Sequence, residues 1–125
     1  MEDMEEVAEN LTEKQQDDKS GMYMRVHFSF INGPLSEMKP NTLATTLALG
    51  RFIDKNGECF PTYKQLGEVL GISRDAVKKR IEEVKKYRYN GESIVEVINR
   101  NVEGGRNTSN LYRLNRKYIS IFSDG

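Results

Sequence analysis

The chain has a single cysteine, a single histidine, three prolines and no tryptophan. Cys59 stands alone, which excludes an intramolecular disulfide and any zinc site built on paired cysteines, and leaves it a small buried hydrophobe. His27 has no second histidine and no adjacent acid or thiol to share a metal with, so a surface or lightly hydrogen-bonded position is expected. One histidine, one cysteine and no evident pair of carboxylates supply neither an acid–base couple nor a nucleophile with its base. The chain therefore reads as a binder rather than an enzyme, with no cofactor. No apolar run approaches the length that spans a bilayer, and the N-terminus is acidic rather than a basic start followed by an apolar stretch. A cytoplasmic protein with no membrane partner is the expectation.

Acidic and basic residues balance at 19 each, but the balance hides a split. Residues 1–20 hold eight acids against Lys14 and Lys19, while Phe60 to Lys117 hold thirteen Lys and Arg against seven Asp and Glu. An acidic segment poor in bulky apolar side chains reads as a solvated, disordered arm. The basic half is where an anionic partner belongs. At 125 residues the chain suffices for one core. The expected layout is an arm over 1–20, a domain over 21–117 and a short tail over 118–125.

The stretch Thr62 to Lys86 organises that domain. Thr62 with Gln65 three residues on is a capping box, so a helix starts at Tyr63, with Leu66, Val69 and Leu70 as its apolar stripe. Gly71 supplies the positive φ of a tight helix stop, Ile72 plugs the corner, and Ser73 caps the next helix with Asp75 in its first turn. In that second helix Val77, Ile81 and Val84 recur at spacings of four and three and face inward. Arg74, Asp75, Lys78, Lys79, Glu82 and Lys85 lie on the opposite, mostly basic face. Two helices joined by a three- to four-residue turn with a glycine are the helix-turn-helix pattern, whose second helix reads the major groove.

On the N-terminal side, Met22 to Ile31 alternates apolar and polar residues and reads as a half-buried strand, closed by Asn32-Gly33-Pro34. Asn41 is a candidate cap for a helix whose apolar face is Leu43, Ala44, Leu47, Ala48, Phe52 and Ile53, followed by a polar turn at Asp54 to Glu58. On the C-terminal side, Asn90-Gly91 reads as a stop. Ser93 to Ile98 and Asn110 to Leu114 form a β-hairpin whose long, basic tip carries Arg100 and Arg106. The tail from Arg116 to Phe122 packs on the domain or on a second copy. Three helices followed by such a hairpin, with an N-terminal strand, define an α+β winged helix.

The run from Lys39 through Asn115, with NGECFPTYKQLGEVLGISRDAVKKRIEEV and GGRNTSNLYRL, resembles the winged helix-turn-helix domains of plasmid- and phage-encoded proteins of Gram-positive bacteria, including N-terminal domains of replication initiators. The resemblance implies double-stranded DNA as partner, bacterial cytoplasm as setting, and a mobile-element role in replication initiation, conjugative DNA processing or transcriptional regulation, with replication or relaxosome proteins as further partners. Carried over by position, it implies contacts from Thr62, Tyr63 and Lys64, from Ser73, Arg74, Asp75, Lys78 and Lys79, and from Arg100, Arg106, Asn107 and Thr108. Those initiators usually carry a further C-terminal domain, whereas this chain stops at Gly125. A fragment and a stand-alone binder both fit.

Each of these residue types has a physical role on DNA. Lys and Arg at the groove edges neutralise phosphates and release counterions. Ser73 and the N–H groups behind it suit a phosphate at the helix N-terminus. Arg74 matches guanine in a bidentate contact and Asp75 accepts from cytosine N4, while Arg106 suits a narrow minor groove. One such domain buries little surface on DNA, so a homodimer on repeated half-sites is expected, joined through the Met22 to Ile31 strand and the Tyr118 to Phe122 tail. The rival reading is a winged helix that docks protein and leaves its basic face unused.

Overall fold

The computed structural model describes residues 21–100 and 109–123. The first strand, β1 (Met22–Val26), pairs antiparallel with the last, β7 (Ile119–Ser123), in a register that sets Met22 opposite Ser123 and Val26 opposite Ile119. The C-terminal stretch therefore packs on its own domain, with Tyr118 and Ile119 buried in the core. Met24 reaches inward to the backbone of Gly50, where a Cβ would collide with its sulfur.

The N-terminal alternation does not continue as a strand to Ile31. The chain turns at His27 into a single helical turn, α1 (Phe28–Ile31), whose cap N–H donates to the carbonyl of Tyr118 at 2.9 Å. A strand would place Phe28 and Phe30 on one side. The helical turn separates them, burying Phe30 to 1% exposure and leaving Phe28 83% exposed. His27 Nε2 meets Ser120 Oγ at 2.8 Å, a light hydrogen-bonded position as expected.

Helix α2 (Pro40–Gly50) follows a short 3₁₀ turn at Pro34–Ser36. Its N-cap is Lys39, with Pro40 in the first turn, rather than Asn41. A proline loses nothing at the first helical position, where its missing N–H has no partner to bond. The buried face is Thr42, Thr45, Thr46, Ala48 and Leu49, whereas Leu43, Ala44 and Leu47 are only half-buried. Thr45 and Thr46 enter the core because their hydroxyls donate to the carbonyls of Asn41 and Thr42, at 2.7 and 2.8 Å. Phe52 and Ile53 lie beyond the helix, Ile53 still buried. In the turn that follows, Asp54 Oδ1 accepts from the N–H groups of Asn56 and Glu58.

Strand β2 (Glu58–Cys59) then leads into the helical pair. In α3 (Tyr63–Leu70), Thr62 Oγ1 accepts from the Gln65 N–H at 3.0 Å and Gln65 Oε1 accepts from the Thr62 N–H at 2.8 Å, so the capping box is complete. Leu66 is fully buried and Leu70 half-buried, but Val69 is 50% exposed, because the inward stripe of this two-turn helix runs through Leu66 and Gly67 instead. Gly71 ends the helix at φ 70°. Gly67 has a tighter constraint: an added Cβ would stand 2.6 Å from the Ile72 carbonyl, so the corner closes only around a glycine.

Helix α4 (Arg74–Lys86) begins at Ser73, whose Oγ accepts from the Ala76 N–H at 3.2 Å, and it buries Val77, Ile81 and Val84. It ends before Tyr87. Asn90-Gly91 is more than a stop: with φ 50° and 79° the pair forms the two-residue turn between β3 (Arg88–Tyr89) and β4 (Glu92–Ser93). Both central residues at positive φ is the conformation that matches strand twist in such hairpins.

Strand β5 (Val95–Ile98) pairs antiparallel with β6 (Leu111–Leu114), and β6 pairs with β2, giving the order β2-β6-β5. Tyr112 and Leu114 of β6 and Val95 of β5 face the helices and complete one core with Leu49, Leu66, Val77 and Ile81. Three helices under a three-stranded sheet whose last two strands form a hairpin make this an α+β winged helix, with β5 and β6 as the base of the wing.

Candidate nucleic-acid interface

The capping box fixes where α3 starts, the glycine corner fixes the angle to α4, and the β5–β6 register fixes where the wing base lies. Between these three elements runs a groove of about 560 Å³. Its walls carry Thr62, Tyr63 and Lys64 from the start of α3, Arg74 and Lys78 from the first turns of α4, and Asn99, Arg100, Ser109 and Asn110 from the wing. Arg74 and Lys78 are four residues apart and so share one stripe of the helix. Lys64, Arg74 and Lys78 are all exposed, and none takes part in the ion pairs among the described residues.

The wing base is pinned by side chains. Arg100 Nε donates to the Ser109 carbonyl at 2.9 Å, and its guanidinium sits 5.3 Å from the centroid of the Phe60 ring, which is itself 63% exposed. Next to it, Asn110 Nδ2 donates to two phenol oxygens, Tyr63 Oη and Tyr112 Oη, each at 3.3 Å. Tyr112 has no exposed surface, and burial pushes its phenol up to about 12 even though the Asn110 hydrogen bond pulls it down. It is therefore a neutral hydroxyl at any physiological pH.

Of the twelve positions expected to touch DNA, six line this groove: Thr62, Tyr63, Lys64, Arg74, Lys78 and Arg100. Ser73 is exposed beside it, in a shallow hollow shared with Lys64, Glu68 and Arg74. Asp75 and Lys79 are exposed one residue further round α4, outside the groove. Arg106, Asn107 and Thr108 lie outside the described residues. Sequence reasoning missed Asn99, Ser109 and Asn110, because their place in the groove depends on the β5–β6 register and on no local pattern.

A second hollow of about 610 Å³ lies on the outer face of the sheet and has the opposite character. There Arg113 meets Glu58 at 2.8 Å and Glu96 at 3.0 Å, and Lys117 meets Glu92 at 3.6 Å. Hydrogen bonds donated to Glu58 and then to Glu96 raise the Arg113 pKa, and the Glu92 charge raises that of Lys117, so both cations are held by acids of the same chain. The three acids of this hollow, Glu58, Glu92 and Glu96, are each already paired with a cation of the chain.

The fold and the groove together define a winged helix-turn-helix protein with a cationic cleft between its second helix and its wing. Residues 36–89, the segment that contains α2, α3 and α4, match the helix-turn-helix domain family. The match is a likeness over that stretch, less than half of the chain. No curated protein and no solved structure matches the chain. Among the described residues, no helix is long and apolar enough to cross a membrane.

Proposed function

We propose that the chain binds double-stranded DNA with sequence preference, without catalysis, by setting α4 in the major groove and the wing against the flanking backbone. The observation that carries this reading is the convergence of Lys64, Arg74, Lys78 and Arg100 on one groove. Lys64, Lys78 and Lys79 contact phosphates, and a phosphate sits at the N-terminus of α4 beside Ser73. The hydroxyl hydrogens of Thr62, Tyr63 and Ser73 are donors to the backbone. Arg74 reads guanine and Asp75 reads cytosine, each good pair discriminating by about 1 to 3 kcal/mol. At the wing tip, Arg106 with Asn107 and Thr108 enters the minor groove.

On DNA the protein is a homodimer, because one winged helix covers too little duplex for useful specificity. Tyr118 and Ile119 are buried within the domain, which removes them as dimer contacts and leaves the exposed apolar side chains of β1 and α1, Phe28 and Ile31 foremost. The setting is a bacterial mobile element, in replication initiation, conjugative DNA processing or transcriptional regulation in the cytoplasm. That setting draws on the resemblance of the Lys39 to Asn115 run.

Selection of bound duplexes from a random pool tests the reading, and the enriched sequence then serves two variants. Arg74→Ala is expected to relax preference at one base pair. Lys79→Ala is expected to weaken all sequences alike. Equal effects of the two would reverse these assignments, and no enrichment at all would leave the protein-docking reading in its place. Monomeric elution together with single-site stoichiometry on the selected duplex would remove the dimer.

A further inference from the structure

The base of the wing is tied to the helix-turn-helix by an amide. Asn110 stands at the point where the wing loop rejoins the sheet, immediately before β6. Its Nδ2 bridges Tyr63, the first residue of α3, and Tyr112, whose hydroxyl is sealed in the core. A few residues away the other end of the same loop is fixed by Arg100 on the Phe60 ring and on the Ser109 carbonyl. Arg100, Ser109 and Asn110, at the base of the wing, are thus tied to one another and to α3 before any ligand arrives.

We propose that Asn110 is a positioning residue: with Tyr112 beneath it and Tyr63 across from it, it locks the base of the wing against the start of α3 and so sets the span of the groove in advance. This rests on the duplex-binding reading above. The physical reason is entropic. A wing free to swing must be ordered on binding, at a loss of affinity, whereas a wing already fixed does not incur that loss. The lock also orients Tyr63, because an Oη that receives the Asn110 N–H directs its own hydrogen elsewhere, and Tyr63 lines the groove.

The prediction separates positioning from contact because Tyr112 cannot touch DNA. Its side chain has no exposed surface, so Tyr112→Phe acts on binding from within the protein, through the lost bond to Asn110 or through the core, and an unchanged thermal midpoint in the variant excludes the second. Asn110→Ala and Tyr112→Phe are each expected to weaken a selected duplex by about two- to tenfold, the range of one neutral hydrogen bond. The double variant is expected to be no weaker than Asn110→Ala alone. Neither removes a cation, so the slope of log affinity against log salt stays at the wild-type value, while Arg100→Ala lowers that slope by about one. Backbone relaxation of the wing amides, measured without DNA, is expected to show faster motion in both variants.

Unchanged affinity and unchanged wing motion in Asn110→Ala would overturn the proposal. So would a loss confined to one base position, which would make Asn110 a direct reader, and so would additive losses in the double variant. If the wild-type chain itself showed no salt-dependent duplex binding, the parent reading would fail instead. The relaxation measurement would still report whether the lock exists.

Discussion

Arg113 and Arg74 carry the same guanidinium in two regions that treat it in opposite ways. Arg113 leaves the sheet between Tyr112 and Leu114, both turned into the core, and lands between Glu58 and Glu96. Arg74 leaves the first turn of α4 into a groove with Lys64, Lys78 and Arg100, and no described acid pairs with it. Exposed ion pairs contribute little to stability, so the Arg113 network serves mainly to neutralise its own surface. A groove that gathers Lys64, Arg74 and Lys78 without a described ion pair gains nothing from folding by doing so. Its charges become favourable only when a polyanion supplies the missing partner.

That contrast can be broken most forcefully by reversing the groove. Arg74→Glu with Lys78→Glu is expected to lower duplex affinity on the order of a hundredfold or more at low salt, as read by fluorescence anisotropy. Arg113→Ala is expected to leave it within about twofold. Comparable losses in the two would mean that the outer sheet face, not the groove, meets the ligand.

The core beneath the groove responds to pH at Tyr112. Tyr112 ionises at about 12 in the fold against an ordinary value of 10.0. The stability that its neutral burial contributes is fully present below pH 10 and is lost as pH rises through 12, by about 2 to 3 kcal/mol. Denaturant titrations over that range should show the decline, and Tyr112→Phe should flatten it. A decline of equal size in Tyr112→Phe would assign it to other groups.

The angle between α3 and α4 is a smaller but more general lever. Gly67→Ala places a methyl against the Ile72 carbonyl and is expected to destabilise the domain by about 1 to 3 kcal/mol in thermal unfolding, with duplex affinity falling alongside. Gly71→Ala, where open space surrounds the Cβ but φ is 70°, is expected to fall near the lower end of that range. The smallest effect belongs to the sheet network. Glu58→Gln should leave both duplex affinity and salt dependence as they are.

How legible each region was in the sequence follows from the range of the forces that built it. The caps at Thr62 and Ser73, the turn at Gly71 and the inward stripe of Val77, Ile81 and Val84 are fixed by residues within four positions of one another, and they stand where their spacing places them. The exposure of Arg74 and Lys78 follows from that, since a helix with one known buried face has a known outer face.

Long-range contacts were not legible. The threonine face of α2 enters the core only because its hydroxyls bond back along the helix, which a hydrophobicity count cannot register. The turn at His27 answers to β7, more than ninety residues away, through the Tyr118 carbonyl and Ser120. Asn110 acquired its role from the strand register alone. Asn90-Gly91 is a different case. The two-residue hairpin signal is local and present in the sequence, and it marks a hairpin as well as the end of the helix.

The most direct test of the account is the salt dependence of binding to a random-sequence duplex, compared between the wild-type chain and Arg74→Ala/Lys78→Ala. A steep, log-linear fall in affinity is expected for the wild type, with a slope shallower by at least about one in the double variant, for the Lys78 phosphate contact removed. A flat salt response, or an identical slope in the two proteins, would contradict the claim that this groove is held open for DNA.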